Sequence, residues 1–90
     1  MNAVKFRAGH LVATPNALAK IPNPEILSAL ERHMASDWGD VETEDRDANH
    51  RALIEGTRLF SVYNSAESIK FWIITEADRS ATTVLLPEDY

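Results

Sequence analysis

From Thr57 the hydrophobic pattern of this chain changes from helical to extended spacing, and that change limits the folds open to it. Upstream, apolar residues recur at three- and four-residue intervals. Downstream, "TRLFSVY", "IKFWIITEA" and "ATTVLLP" are short runs rich in β-branched and aromatic residues, separated by the turn-prone "NSAES" and "DRS". Helix-spaced and strand-spaced segments kept apart along the sequence specify an α+β domain, because a parallel α/β fold would alternate them. The three downstream runs predict an antiparallel meander closed by Pro87, which cannot donate to a sheet ladder.

The upstream half divides at its prolines and glycines. "GHLVAT" reads as a short strand, and Thr14 before Pro15 is a cap and first-turn pair for the helical piece "PNALAKI", which Pro22 ends. Asn23 is then the expected N-cap of a longer helix, with Pro24 at its first position and Glu25 against the positive end of the helix dipole. Ile26, Leu27, Leu30 and Met34 share one face of this helix, which is expected to run to about Ser36. Gly39 marks a break, Thr43 can cap a further helix with Glu44 and Asp45 in its first turn, and Gly56 stands just past its end. Ala48, Ala52 and either Leu53 or Ile54 supply its narrow apolar stripe. The expected architecture is a short N-terminal strand, two or three helices and a three-stranded antiparallel meander, with the helices packed on one sheet face. Ninety residues make one domain, 1–90, and three glycines and four prolines leave no low-complexity stretch.

The middle strand of the meander is apolar on both sides. Ile69, Phe71 and Ile73 point one way while Trp72 and Ile74 point the other, whereas a sheet covered on one face alternates more cleanly. Two coverings fit the second face: the short first helix with the carboxy-terminal tail, or another subunit in a homodimer formed through the sheet.

Composition excludes several kinds of chemistry. The chain has no cysteine, which removes thiolate nucleophiles, disulfides and cysteine zinc sites. No run reaches transmembrane length, and "MNAVKFRAGHLVAT" lacks the apolar core of a signal peptide, so the cytoplasm is the expected compartment. Net charge is −5, of which −4 falls between Ser36 and Arg51. With no visible cluster of Lys and Arg, sequence-independent nucleic-acid binding and attachment to an anionic membrane surface are both disfavoured.

The acidic stretch "SDWGDVETEDRDANHR" is the most unusual local feature. It does not have the ligand spacing of a calcium loop, since Gly39 comes too early, and His33 with Asp37 makes only two ligands, so no metal is expected. Glu44 and Asp45 are explained by the helix dipole. Asp37, Trp38 and Asp40 are left as a binding surface or a rigid inter-helix turn. A second polar turn, Glu76, Asp78 and Arg79, reads as a tight hairpin turn or as a rim for a ligand or partner. A metal-independent ribonuclease would need an acid, a base and a cation to stabilise the phosphorane, which His33, Glu76, Arg58 and Arg79 provide as residue types. No glycine-rich phosphate loop exists and no cofactor is implied.

Through "SDWGD", "ALIEGTR" and "WIITEADRSATTVLLPEDY" the chain resembles a family of small bacterial proteins labelled plasmid-related, some of them labelled type I restriction subunit M. The match runs from Phe6 onward and includes His33, Asp37, Trp38, Gly39, Asp40, Asn49, Gly56, Arg58, Glu76, Asp78, Arg79 and Tyr90; Ser36 stands where the pattern has glycine. The resemblance implies a mobile-element or accessory-gene setting and brings no activity with it. Ninety residues cannot hold a methyltransferase core, so the restriction label is uninformative. The leading expectation is a non-enzymatic module acting on a protein partner through Asp37, Trp38 and Asp40 and through Glu76, Asp78 and Arg79. The alternative is a toxin-type ribonuclease using His33, Glu76 and Arg79. If the two turns are surface contacts, alanine at Trp38, Asp40, Asp78 or Arg79 should change stability by less than about 1 kcal/mol.

Overall fold

The computed structural model describes residues 4–90. In chain order it holds β1 (His10–Ala13), α1 (Pro15–Lys20), α2 (Asn23–Met34), α3 (Thr43–Glu55), β2 (Leu59–Asn64), β3 (Lys70–Thr75), β4 (Ala81–Leu85) and a 3-10 turn (Pro87–Asp89). The fold is α+β, with the meander β2–β3–β4 antiparallel as expected. The sheet as a whole is mixed: its order is β1-β4-β3-β2, and β1 lies parallel to β4 with His10 opposite Ala81 and Ala13 opposite Val84. A strand that precedes three helices returns to the far edge of the meander, and the helical crossover sets its direction parallel.

Local chemistry fixes the helix ends. Thr14 caps α1, its hydroxyl accepting from the Ala17 amide at 3.1 Å. Its hydroxyl also donates to Asp89 Oδ2 at 2.7 Å, which ties the tail to the first helix. Asn23 and Thr43 are each the first residue of their helix and not its cap, and neither α2 nor α3 has a side-chain cap bond. Gly56 ends α3 in the left-handed region, as a C-terminal glycine does. The α2 helix stops at Met34, two residues short of Ser36.

Beneath α1 and α2, Ala17, Ile21, Ile26, Ala29 and Leu30 pack on Tyr63, Phe71, Ile73 and Val84, forming the main core. The buried stripe of α2 is Ile26, Ala29, Leu30 and His33, so Leu27 turns outward and a histidine takes the inward position. The α3 helix packs on the sheet through a narrow apolar contact, Ala52 with the partly buried Leu53. It flanks the β2 edge, burying Asn49 and Ala52 while Ala48 and Ile54 face solvent, because what it meets there is strand backbone as well as side chains. A second cluster, Trp38, Val41, Ala52, Leu59 and Val62, joins it to the sheet. On the second sheet face the tail, not α1, provides cover: Tyr90 meets Trp72 edge-on at 5.9 Å and accepts a 2.8 Å hydrogen bond from Arg58. No helix among the described residues is long and apolar enough to cross a membrane.

Candidate functional site

His33 is fully buried and bonded through both ring nitrogens. Nδ1 lies 2.5 Å from Ser61 Oγ and Nε2 lies 2.8 Å from Thr75 Oγ1. Thr75 Oγ1 is 2.8 Å from Thr82 Oγ1, which donates to the Ala8 carbonyl at 2.8 Å. Each hydroxyl has one proton, and this fixes the direction of the chain. Thr82 spends its proton on Ala8, so it accepts from Thr75; Thr75 therefore accepts from His33 Nε2–H, and unprotonated Nδ1 accepts from Ser61. The ring is a neutral Nε2–H tautomer joining α2, β2, β3, β4 and the segment before β1. Burial first, and then the nearby Arg79 charge, lower its pKa to about 4. The Phe6 and Trp38 rings close over it at 5.4 and 5.5 Å. A general acid or base must reach solvent or substrate, and this imidazole reaches neither.

"SDWGD" closes the β2 edge. Trp38 is 3% exposed, its carbonyl accepts from the Val62 amide at 3.0 Å, and the Asp40 amide donates to the Val62 carbonyl at 2.8 Å, so Gly39 forms a one-residue parallel bridge with Val62. Gly39 has φ +73°, and a Cβ there would stand 2.0 Å from the Val62 carbonyl oxygen, so only glycine fits. Asp37 pairs with Arg32 at 2.8 Å, and this hydrogen bond holds its carboxyl below the usual carboxylate range. Asp40 accepts from Asn64 at 2.7 Å, and the Tyr63 hydroxyl donates to the Asp37 carbonyl at 2.5 Å. One step along the same edge, the Asn49 side chain stands in for a neighbouring strand, accepting from the Phe60 amide at 3.0 Å and donating to the Phe60 carbonyl at 2.6 Å.

At the β3–β4 turn, Arg79 lies in the left-handed region at φ 62° and directs its guanidinium at backbone. Nη1 donates to the carbonyls of Thr57, Glu76 and Ala77 and Nη2 to that of Ala52, so the side chain caps the end of α3 and ties it to the turn. Asp78 accepts from the Ser80 amide at 2.9 Å, an ordinary turn bond, and Glu76 is exposed. His33, Arg58, Glu76 and Arg79 share no cleft: Arg58 lies with Tyr90 on the second sheet face, His33 is sealed under α2, and Arg79 is committed to carbonyls. Trp38 lies in the core and Arg79 holds four carbonyls, so substitution at either residue carries a larger cost than a surface contact would, while Asp37, Asp40, Glu76 and Asp78 are exposed.

Among the described residues, two of the open surfaces are wide enough to take a ligand or partner segment. A groove of about 350 Å³ on the second sheet face is lined by Phe60, Trp72, Tyr90, Arg58 and Asp45. A wider one of about 800 Å³ follows the β1 edge, lined by Val4, Phe6, Arg7, His10, Leu11, Met34, Arg79 and Ser80. The β1 backbone there is unpaired on one side. His10 and Thr14 donate toward β4, to the carbonyls of Ser80 and Val84, so the intervening Leu11 and Ala13 direct N–H and C=O away from the sheet. Among the described residues nothing bonds to them. Leu11 is 59% and Val12 47% exposed.

Reading the sequence as separate motifs misses this edge, yet a signal for it exists in the charge order. Residues 1–24 contain Lys5, Arg7 and Lys20 and no acid, while all fourteen acids follow from Glu25 onward. Comparison of the chain with family models, curated proteins and solved structures returned no match.

Proposed function

We propose that this chain is a non-enzymatic, protein-binding accessory module whose docking surface is the open β1 edge. The observation that carries the reading is the asymmetry of the sheet. The β2 edge is closed by four hydrogen bonds from Asn49, Trp38 and Asp40, whereas Leu11 and Ala13 at the β1 edge carry unpaired backbone groups flanked by exposed Leu11 and Val12. Exposed edges in folded proteins are normally blunted by charge, proline or a covering segment, and "HLVA" has no proline and no acidic or Lys/Arg residue. An extended segment of a partner added to that edge would gain main-chain hydrogen bonds, the mode known as β-augmentation. The mobile-element setting belongs to this reading through the family resemblance. The ribonuclease alternative has weaker support, because its histidine is buried neutral and its arginine is engaged as a helix cap.

A photo-crosslinking residue placed at Val12 in the expressing cell tests the reading. Discrete protein adducts at Val12, absent when the same residue is placed at Glu31 on the exposed side of α2, are expected. Equal adducts at both positions, together with RNA cleavage by the pure protein, would reverse the ranking.

A further inference from the structure

We infer that the strand received at the β1 edge is acidic: an extended peptide segment with carboxylates at alternate positions. This rests on the edge being a docking surface, and it names the chemistry of what docks there. Carbonyls and amides of Leu11 and Ala13 point outward in register, which specifies another extended backbone and not a globular surface.

Side chains set the charge. Leu11 stands opposite Thr82, on the sheet face that carries α2, and there it borders the groove containing Arg7 and Arg79. No Asp or Glu lines that groove. Arg7 is exposed, and neither of the two ion pairs among the described residues involves it. Acids stand at the two ends of the strand, Asp89 bonded to Thr14 and Asp78 to Ser80, and Lys20 is paired with Glu88, so the positive charge facing the edge is that of Arg7 and Arg79 at the groove. A carboxylate on an added strand is attracted at this groove, which favours a strand whose acidic side chains face Arg7 and Arg79. Alternation follows from strand geometry: successive side chains of the added strand point to opposite faces, so every second one meets the Leu11 side. A second copy of the chain is the weaker occupant, because its β1 carries no carboxylate to set against Arg7.

The experiment uses the full chain and labelled peptides of about six residues, the common strand length, alternating Val with Glu, Gln or Lys. Fluorescence anisotropy gives affinity, and amide shifts at Leu11 and Ala13 give location. Expected are binding of the Glu peptide at least about tenfold tighter than the Gln peptide, weakening with added salt, and a loss of about tenfold in Arg7→Ala, as for one partly desolvated charge pair. Leu11→Pro removes an outward N–H without touching the β4 ladder and should abolish binding of every peptide; an unchanged Thr14 amide shows that the variant keeps its fold. Equal binding of Glu and Gln peptides at Leu11 and Ala13 would overturn the acidic preference and leave the docking edge standing. No shift at Leu11 or Ala13 with any peptide would overturn both. Concentration-dependent shifts at Leu11 and Ala13 without peptide would assign the edge to a second copy. Tighter binding of a single-stranded oligonucleotide than of the Glu peptide would assign the groove to phosphate.

Discussion

Acidification should destabilise this protein in a specific window, and His33 is the reason. Its pKa is lowered to about 4 in the folded chain, against 6.5 for an unperturbed histidine. Because the folded value is the lower one, the unfolded chain binds the proton first. The stability that depends on the neutral ring is present above pH 6.5 and is lost as pH falls toward 4. Linkage over these two values gives a loss of about 2 kcal/mol between pH 7 and pH 5, and about 3 kcal/mol once both forms are protonated. That is a large share of the total for a domain of this size. Both causes act in the same direction: burial beneath the Phe6 and Trp38 rings keeps water away, and Arg79 is the cation facing the ring. The assay is urea unfolding at a series of pH values for the native chain and for His33→Gln, in which a non-titrating amide can donate toward Thr75 and accept from Ser61. Asp37, Asp78 and Asp89, whose hydrogen-bonded carboxyls are held below the usual range, titrate lower and do so in both proteins. The native chain should lose about 2 kcal/mol more than His33→Gln between pH 7 and pH 5. Parallel curves for the two proteins would refute the neutral buried ring and the proton order derived from it.

Other substitutions probe the closed edge and the turn. Gly39→Ala combines a left-handed residue, about 1–2 kcal/mol, with displacement of two backbone bonds to Val62 at about 1 kcal/mol each, so denaturant midpoints should report a loss of about 3 kcal/mol or more. Asn49→Ala removes both bonds to Phe60 and should cost about 1–3 kcal/mol while raising concentration-dependent light scattering, since it uncovers strand edge. Arg79→Ala should cost about 1–3 kcal/mol in thermal unfolding, with Glu76→Ala within about 0.5 kcal/mol as the comparison on the same turn.

The meander was legible because its information is local. Period and β-branching lie within each strand and the turns at Ser65 and Asp78 directly between neighbouring ones, and the assignment of Phe71 and Ile73 to one face and Trp72 and Ile74 to the other follows from alternation alone. The parallel placement of β1 was not legible, since it depends on a contact between residues far apart in sequence, such as His10 and Ala81. Leu27 and Asn49 show why helix faces were misplaced. Apolar periodicity assumes an apolar neighbour, but α3 docks on strand backbone, where an amide is the better complement, and α2 turns a histidine inward toward a serine and a threonine. Four of the candidate residues have a structural role visible only in the fold. Asp37, Trp38 and Asp40 hold a strand edge, and Arg79 caps a helix, roles that depend on backbone groups the sequence pattern does not display. The open edge was missed because "HLVA" looks ordinary until the fold leaves one of its sides unpaired.

Amide hydrogen exchange in the isolated chain tests the central asymmetry directly. Leu11 and Ala13 should exchange rapidly while Val12, bonded to β4, and Phe60 and Val62, bonded at the closed edge, are protected. Protection of Leu11 and Ala13 equal to that of Phe60 and Val62 in a dilute monomer would mean that β1 is already covered, and would contradict the docking edge.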